Sequence, residues 1–207
     1  GYRESTESWL TVLRDLKTRG MRAPALAIGD VALGFWAAVR EVWPETREQR
    51  CWVHRIANVL DKLPTRLQPQ AKRALHKMMY ADTRATCEQA IQRFAQDYEA
   101  KYPKAVKSRV TDIARLRTHF EFPAAHWKHI RTTNPIESTF ATVKLRTRVT
   151  KGAGSRTAGL TMACKVLEAA QQSWRRLDAH ELLPLVRAGR VFKDGQPVER
   201  AEEQPEK

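Results

Sequence analysis

The stretch Ala23–Trp36, APALAIGDVALGFW, decides the fold. Its run Ala25-Leu26-Ala27-Ile28 is too short for a helix and is bounded by Pro24 and Gly29, so it reads as a buried strand. Asp30 comes next, a carboxylate just past a buried strand, at the rim where α/β sheets place ligand and metal sites. A local reading stands beside it, because Asp is a favoured N-cap and a helix begins near Ala32. That helix runs to Val42 and stops before Pro44. Upstream, Ser5–Arg19 reads as a helix with Trp9, Leu10, Leu13 and Leu16 on one face and Gly20 at its C-terminal cap. Downstream, Gln49–His54 is expected as a second strand carrying Cys51, Trp52, Val53 and His54.

From Arg55 to about His126 the texture changes. Glycine is absent from Phe35 through Lys151, long side chains dominate, and Pro64, Pro69, Pro103 and Pro123 divide the segment into helix-length pieces. Cys87, Ala90, Ile91, Phe94 and Tyr98 keep a helical stripe through one of them, so an all-helical module is expected. Thr133-Asn134-Pro135-Ile136-Glu137 then opens another helix, with Asn134 as N-cap and Pro135 at its first position. Gly152 and Gly154 break it, and Ser155 caps a last long helix whose Ala163, Val166, Leu167, Ala170, Trp174 and Leu177 recur every three or four residues. A short helix over Glu181–Ala188 follows, and the Glu-, Gln- and Pro-rich end reads as disordered. The organisation expected is a partial core over 1–54, a helical insertion over 55–130, C-terminal helices over 131–192 and a tail over 193–207.

Composition narrows the partners. The 207-residue chain carries 37 Lys and Arg against 23 Asp and Glu, a net charge of +14. Such an excess repels itself unless a polyanion is near, and nucleic acid is the commonest one. No apolar run approaches the roughly 18 residues of a membrane span, and no signal peptide opens the chain. Cys51, Cys87 and Cys164 form no disulfide framework, which points to a reducing cytoplasm, with DNA as partner.

Four groups of residues can carry chemistry. Asp30 is a site acid or a helix cap. Glu137 stands where a capping box would place a Glu three residues past the N-cap, so it too has a local reading. Cys51 and His54 supply two metal-ligand types at short spacing, but zinc needs about four ligands and neither Cys87 nor His76 completes a pair, so no zinc is expected. Lys144, Arg146, Arg148, Lys151 and Arg156 are met by few acids over the same span. Lys144, Arg148 and Lys151 share one helix face, which favours a track for phosphates over a merely solvated surface.

Taken together, Ala23–Trp36, Glu45–Leu63 (ETREQRCWVHRIANVLDKL), Thr132–Arg148 (TTNPIESTFATVKLRTR) and the helix opening Gly152–Trp174 resemble the Mutator-type transposases of bacterial insertion sequences. The resemblance runs from about Tyr2 to Phe192, with several distinct blocks in order. It implies a ribonuclease-H-like α/β core with an Asp, Asp, Glu catalytic set, interrupted by a helical insertion between the second Asp and the Glu. Asp30 matches the second Asp and Glu137 the Glu. Cys51 and His54 match a Cys-x-x-His element, read with Asn134 as site-supporting.

The first Asp of that set belongs upstream of Ser5–Arg19. Nothing in the chain occupies its place, so the chain is expected to be a C-terminal portion, mostly α with a small β remnant, inactive and aggregation-prone alone. Mg²⁺ or Mn²⁺ is the implied cofactor, two ions in a complete site, because hard cations take carboxylate oxygens and water. Such a pair activates the attacking oxygen and steadies the leaving oxygen in displacement at phosphorus. The implied partners are insertion-sequence ends and target DNA, with a homo-oligomeric full-length protein associated with the nucleoid. Two other classes compete: a non-enzymatic helical DNA-binding remnant, and, more weakly, a zinc-stabilised interaction domain built on Cys51 and His54.

Overall fold

The computed structural model describes residues 5–110 and 113–198. Helix α1 (Thr6–Thr18) begins at Ser5, whose side chain accepts from the Ser8 N–H. It ends in a Schellman motif: the Gly20 N–H bonds to Lys17 O and the Met21 N–H to Leu16 O, with Gly20 at φ +93. Strand β1 (Leu26–Gly29) follows, then α2 (Leu33–Val42) and strand β2 (Arg47–Arg50). The strands pair in parallel from Leu26 opposite Arg47 to Gly29 opposite Arg50, making a β-α-β unit. α1 packs on α2 through Leu10, Leu13, Ala38, Val39, Val42 and Trp43. Among the described residues β1 has no other partner strand, so its second edge is open.

The second strand is shorter and earlier than the sequence suggests. Pairing stops at Arg50 because β1 stops at Gly29 opposite it. Trp52, Ile56, Val59 and Leu63 then recur at intervals of three and four, and helical periodicity wins over the β-type character of Trp52 and Val53. Cys51 is therefore the N-cap of α3 (Trp52–Leu60), and His54 lies in its first turn rather than on a strand.

Helices α3, α4 (Gln68–Met79), α5 (Arg84–Tyr98), α6 (Pro103–Val110), α7 (Ile113–Leu116) and α8 (Trp127–Ile130) enclose one large core. Its buried members run from Trp52 to Trp127, so this core starts ahead of Arg55, where the helical segment was expected to open. The buried Gln49 ties β2 to it: its Nε2 donates to Leu116 O at 3.0 Å and its Oε1 accepts from the His119 N–H at 2.7 Å. Glu48 adds a bidentate pair with Arg40 on α2 and a second ion pair with Arg115 on α7. The two packed bodies are thereby locked through β2.

Helices α9 (Asn134–Val149) and α10 (Arg156–Gln171) pack against each other and contain no buried residue. The α10 stripe ends at Ala170; Trp174 and Leu177, expected to extend it, lie beyond the helix, and Trp174 is exposed. Ile136, Phe140, Leu145 and Leu160 are exposed as well, so the hairpin carries apolar surface that nothing among the described residues covers. Helix α11 (Leu183–Arg187) leads to the antiparallel strands β3 (Phe192–Lys193) and β4 (Gln196–Pro197). These begin the segment expected as a disordered tail. Asp194 and Gly195 both have positive φ, as a type I′ hairpin turn requires. A Cβ on Gly195 would stand 2.5 Å from Ala124 Cβ, so the turn can dock there only as glycine. The rest of the expected tail, 199–207, lies outside the described residues.

Candidate functional site

Asp30 is exposed immediately past β1. Its Oδ1 accepts from the Ala32 N–H at 3.0 Å, a local turn bond, while Ala32 is the formal N-cap of α2 and no side chain caps that helix. The acid shapes its own turn without being consumed as a cap. Its backbone carbonyl accepts from Trp36 Nε1 at 2.8 Å and from the Arg50 guanidinium. Arg50 is 4% exposed, ends β2, and faces the Trp36 ring at 5.7 Å. A Cβ on Gly29 would meet Trp36 at 2.9 Å, so only glycine lets the ring close beneath the turn. A buried cation and an indole N–H thus fix the backbone from which Asp30 projects.

Glu137 is held from the other side. The N-cap of α9 is Thr133, not Asn134, which is the exposed first residue, and Pro135 stands second. This one-residue difference dissolves the expected capping box. Glu137 falls one position too late, and the Thr133 N–H that a box would use bonds instead to Cys51 Sγ at 3.3 Å. The Glu137 carboxylate meets the Thr133 hydroxyl and approaches His54 Nδ1 at 3.7 Å, with its side chain 49% exposed.

Hydrogen bonds link the end of β1 to the start of α9. The Cys51 N–H donates to Gly29 O at 2.7 Å, so Cys51 continues from the residue preceding Asp30. Its buried sulfur then takes the Thr133 N–H, and Thr133 meets Glu137. The Trp52 N–H donates to Arg131 O at 3.0 Å, fixing the same loop from α3. A cleft of about 260 Å³, lined by Leu26, Ile28, His129, Thr132, Thr133, Pro135 and Ile136, separates β1 from the start of α9. Of the expected site residues, Cys51, His54 and Glu137 meet around Thr133. The Asp30 side chain bonds only within its own turn and is tied to them through the backbone of Gly29, and Asn134 is exposed at the start of α9.

Lys144, Arg146, Arg148, Lys151 and Arg156 are all exposed on the α9–α10 hairpin. No carboxylate among the described residues forms an ion pair with any of them; the hairpin's one described ion pair joins Lys165 to Glu168. Their charge is left to solvent or to a polyanion. Lys151 sits at φ +53 in the C-terminal turn of α9, where its N–H bonds to Arg148 O and the Gly152 N–H to Thr147 O.

The donor chemistry suits Mg²⁺ in kind, since both acids offer carboxylate oxygens. It does not suit it in number, because no group of three or more His, Cys, Asp or Glu among the described residues stands close enough to hold an ion. Sequence reasoning passed over Arg50 and Thr133, whose roles arise from contacts across the fold. Arg50 sits in the quoted Glu45–Leu63 block and Thr133 in the Thr132–Arg148 block, and that shared placement was the signal available.

Comparison with known proteins gives a consistent result. Residues 1–177 match the model of the family described as Transposase, Mutator family. The chain is 56% identical over 200 residues to the transposase for insertion sequence element IS6120 of Mycolicibacterium smegmatis, covering 97% of the chain and 62% of that relative. It is 50% identical over 199 residues to the transposase for insertion sequence element IST2 of Acidithiobacillus ferrooxidans, covering 96% of the chain and 67% of that relative. It is also 30% identical over 152 residues to the transposase for insertion sequence element ISRM5 of Rhizobium meliloti. The chain spans less than two thirds of the first of these relatives and about two thirds of the second.

Proposed function

The chain belongs to the Mutator family of transposases, and from that premise we propose that it supplies two acids, Asp30 and Glu137, to a metal-dependent site for DNA strand cleavage and strand transfer. The observation that carries the reading is the contact path Gly29–Cys51–Thr133–Glu137, which ties the end of β1 to the opening of α9. That link between two segments far apart in sequence supports reading both acids as parts of one site.

Asp30 and Glu137 would hold Mg²⁺, with DNA phosphate and water as further ligands. The ions, when bound, supply Lewis-acid stabilisation of the oxygens entering and leaving phosphorus. Arg50 and Trp36 keep the Asp30 turn fixed, and Thr133 and His54 aim Glu137. The unpaired cations of α9 and α10 hold the DNA backbone beside the acids. Two carboxylates are one short of the set that the family resemblance calls for, so catalysis needs a third. No helix among the described residues is long and apolar enough to cross a membrane.

Iron-directed cleavage tests this directly. With Fe²⁺ in place of Mg²⁺ and a peroxide source, the polypeptide is expected to break near both residue 30 and residue 137, and Mg²⁺ is expected to suppress both breaks. Breaks confined to the Cys51–His54 turn would contradict the reading and favour a Cys and His metal site. Breaks at neither acid, with salt-sensitive DNA binding retained, would leave a non-enzymatic DNA-binding protein.

A further inference from the structure

We propose that Thr133 is the positioning residue through which Cys51 and His54 hold Glu137 in place. This rests on the reading of Glu137 as a site acid. Thr133 Oγ1 lies 3.3 Å from Cys51 Sγ, 3.4 Å from His54 Nδ1, and closer still to Glu137 Oε1. A hydroxyl has one proton and two lone pairs, so it cannot donate to all three. The carboxylate only accepts, which makes it the acceptor of the Thr133 proton. The two lone pairs then face the thiol S–H and the imidazole Nδ1–H.

The backbone reinforces this polarity. The Thr133 N–H already points at Cys51 Sγ, so the sulfur accepts from the main chain while its own proton is free to turn toward Oγ1. Cys51 is 1% exposed and begins α3, and its N–H is anchored on Gly29 O. His54 is carried on the first turn of the same helix. The Cys-x-x-His spacing thus places both side chains on one side of α3, against one hydroxyl.

The arrangement also accounts for two oddities of α9. Thr133 is an N-cap residue whose side chain caps no helix N–H. The second helical position is Pro135, which has no N–H to offer, and the hydroxyl is turned to Glu137 instead. On this account Cys51 and His54 touch neither metal nor DNA; Cys51 acts on Glu137 through Thr133, and His54 does so through Thr133 and also from 3.7 Å away.

The test compares Thr133→Val, which keeps shape and β-branching, with Thr133→Ser, which keeps the hydroxyl. The first readout needs no metal: the ¹⁵N chemical shift of His54 Nδ1 in the full chain. It is expected to change in Thr133→Val and in Glu137→Gln, to change no further in the double variant, and to stay at the wild-type value in Thr133→Ser. The second readout is Mn²⁺ affinity, expected to fall by about tenfold or more in Thr133→Val, as loss of an orienting partner typically does, and to be retained in Thr133→Ser. A wild-type His54 shift in Thr133→Val would overturn the proposal, and so would Thr133→Ser behaving like Thr133→Val. Should wild-type protein bind no Mn²⁺ while the His54 shifts follow the expected pattern, the metal site fails and the Thr133 linkage stands.

Discussion

Acidification should loosen the joint between the helical core and the strand behind Asp30, and His119 sets the size of the effect. This side chain is 0% exposed, wedged against Phe120 and Trp127 with ring centroids at 4.3 and 5.5 Å. Its Nδ1 lies 3.0 Å from Leu116 O, while its Nε2 is buried with no hydrogen-bond partner among the described residues. Burial is the main reason its pKa is pushed down to about 4 from an ordinary 6.5, with Arg131 and Arg84 adding to the fall and the bond to Leu116 O opposing it. The folded form stays neutral where the unfolded chain takes a proton. Stability is therefore full above pH 6.5 and is lost as pH falls toward 4. Going from pH 8 to pH 5 this one group costs about 2 kcal/mol, against a limit of about 3.4 kcal/mol once both states are protonated.

Urea unfolding of wild type and His119→Leu at both pH values isolates that share, because the other titrating groups cancel in the difference. The variant leaves no orphan carbonyl, since Leu116 O keeps donors from Gln49 Nε2 and Trp52 Nε1. Wild type is expected to lose about 2 kcal/mol more than the variant. Equal losses would refute the assignment of His119 as a neutral buried imidazole. The consequence reaches the site, because Gln49 on β2 is bonded to the His119 N–H.

Other perturbations address the site and its surroundings. Arg50→Met removes a buried donor from Asp30 O and should lower unfolding stability by about 1.5–3 kcal/mol, with Arg50→Lys failing to restore it; a change below about 0.5 kcal/mol would count against the clamp. Lys151→Gly relieves a left-handed residue at the end of α9 and should stabilise that turn by about 1 kcal/mol, read as slower amide exchange near Thr147–Gly152. Replacing Arg146 and Arg148 by Gln should flatten the logarithmic salt dependence of DNA binding by about one to two units; an unchanged slope would remove these residues from the phosphate track.

Much of the fold was legible where punctuation and periodicity agree. Pro24 and Gly29 bracket β1, Ser5 and Gly20 close α1, and Ser155 caps α10 by accepting from the Ala158 N–H. Legibility failed where one residue changes register. Gln49–His54 has strand-like residues, yet only Gln49 and Arg50 belong to a strand, because the length of β1 sets where pairing ends. Asp194-Gly195 is a strong hairpin signal that the polar composition around it obscured. The α10 stripe holds from Ala163 to Ala170 but not on to Trp174 and Leu177, and periodicity reports a face and not what covers it. In the candidate site, the family resemblance is what nominates Asp30 and Glu137, while the contacts of Arg50 and Thr133 span separations that no local pattern encodes.

The central claim is that Asp30 and Glu137 serve one metal site. Mn²⁺ binding to the chain, followed by electron paramagnetic resonance in wild type, Asp30→Asn and Glu137→Gln, tests it most directly. Each single substitution is expected to weaken the same bound ion by at least about tenfold, and the double variant to lose it. Unchanged binding in both single variants, or binding abolished only by Cys51 or His54 substitutions, would contradict the account.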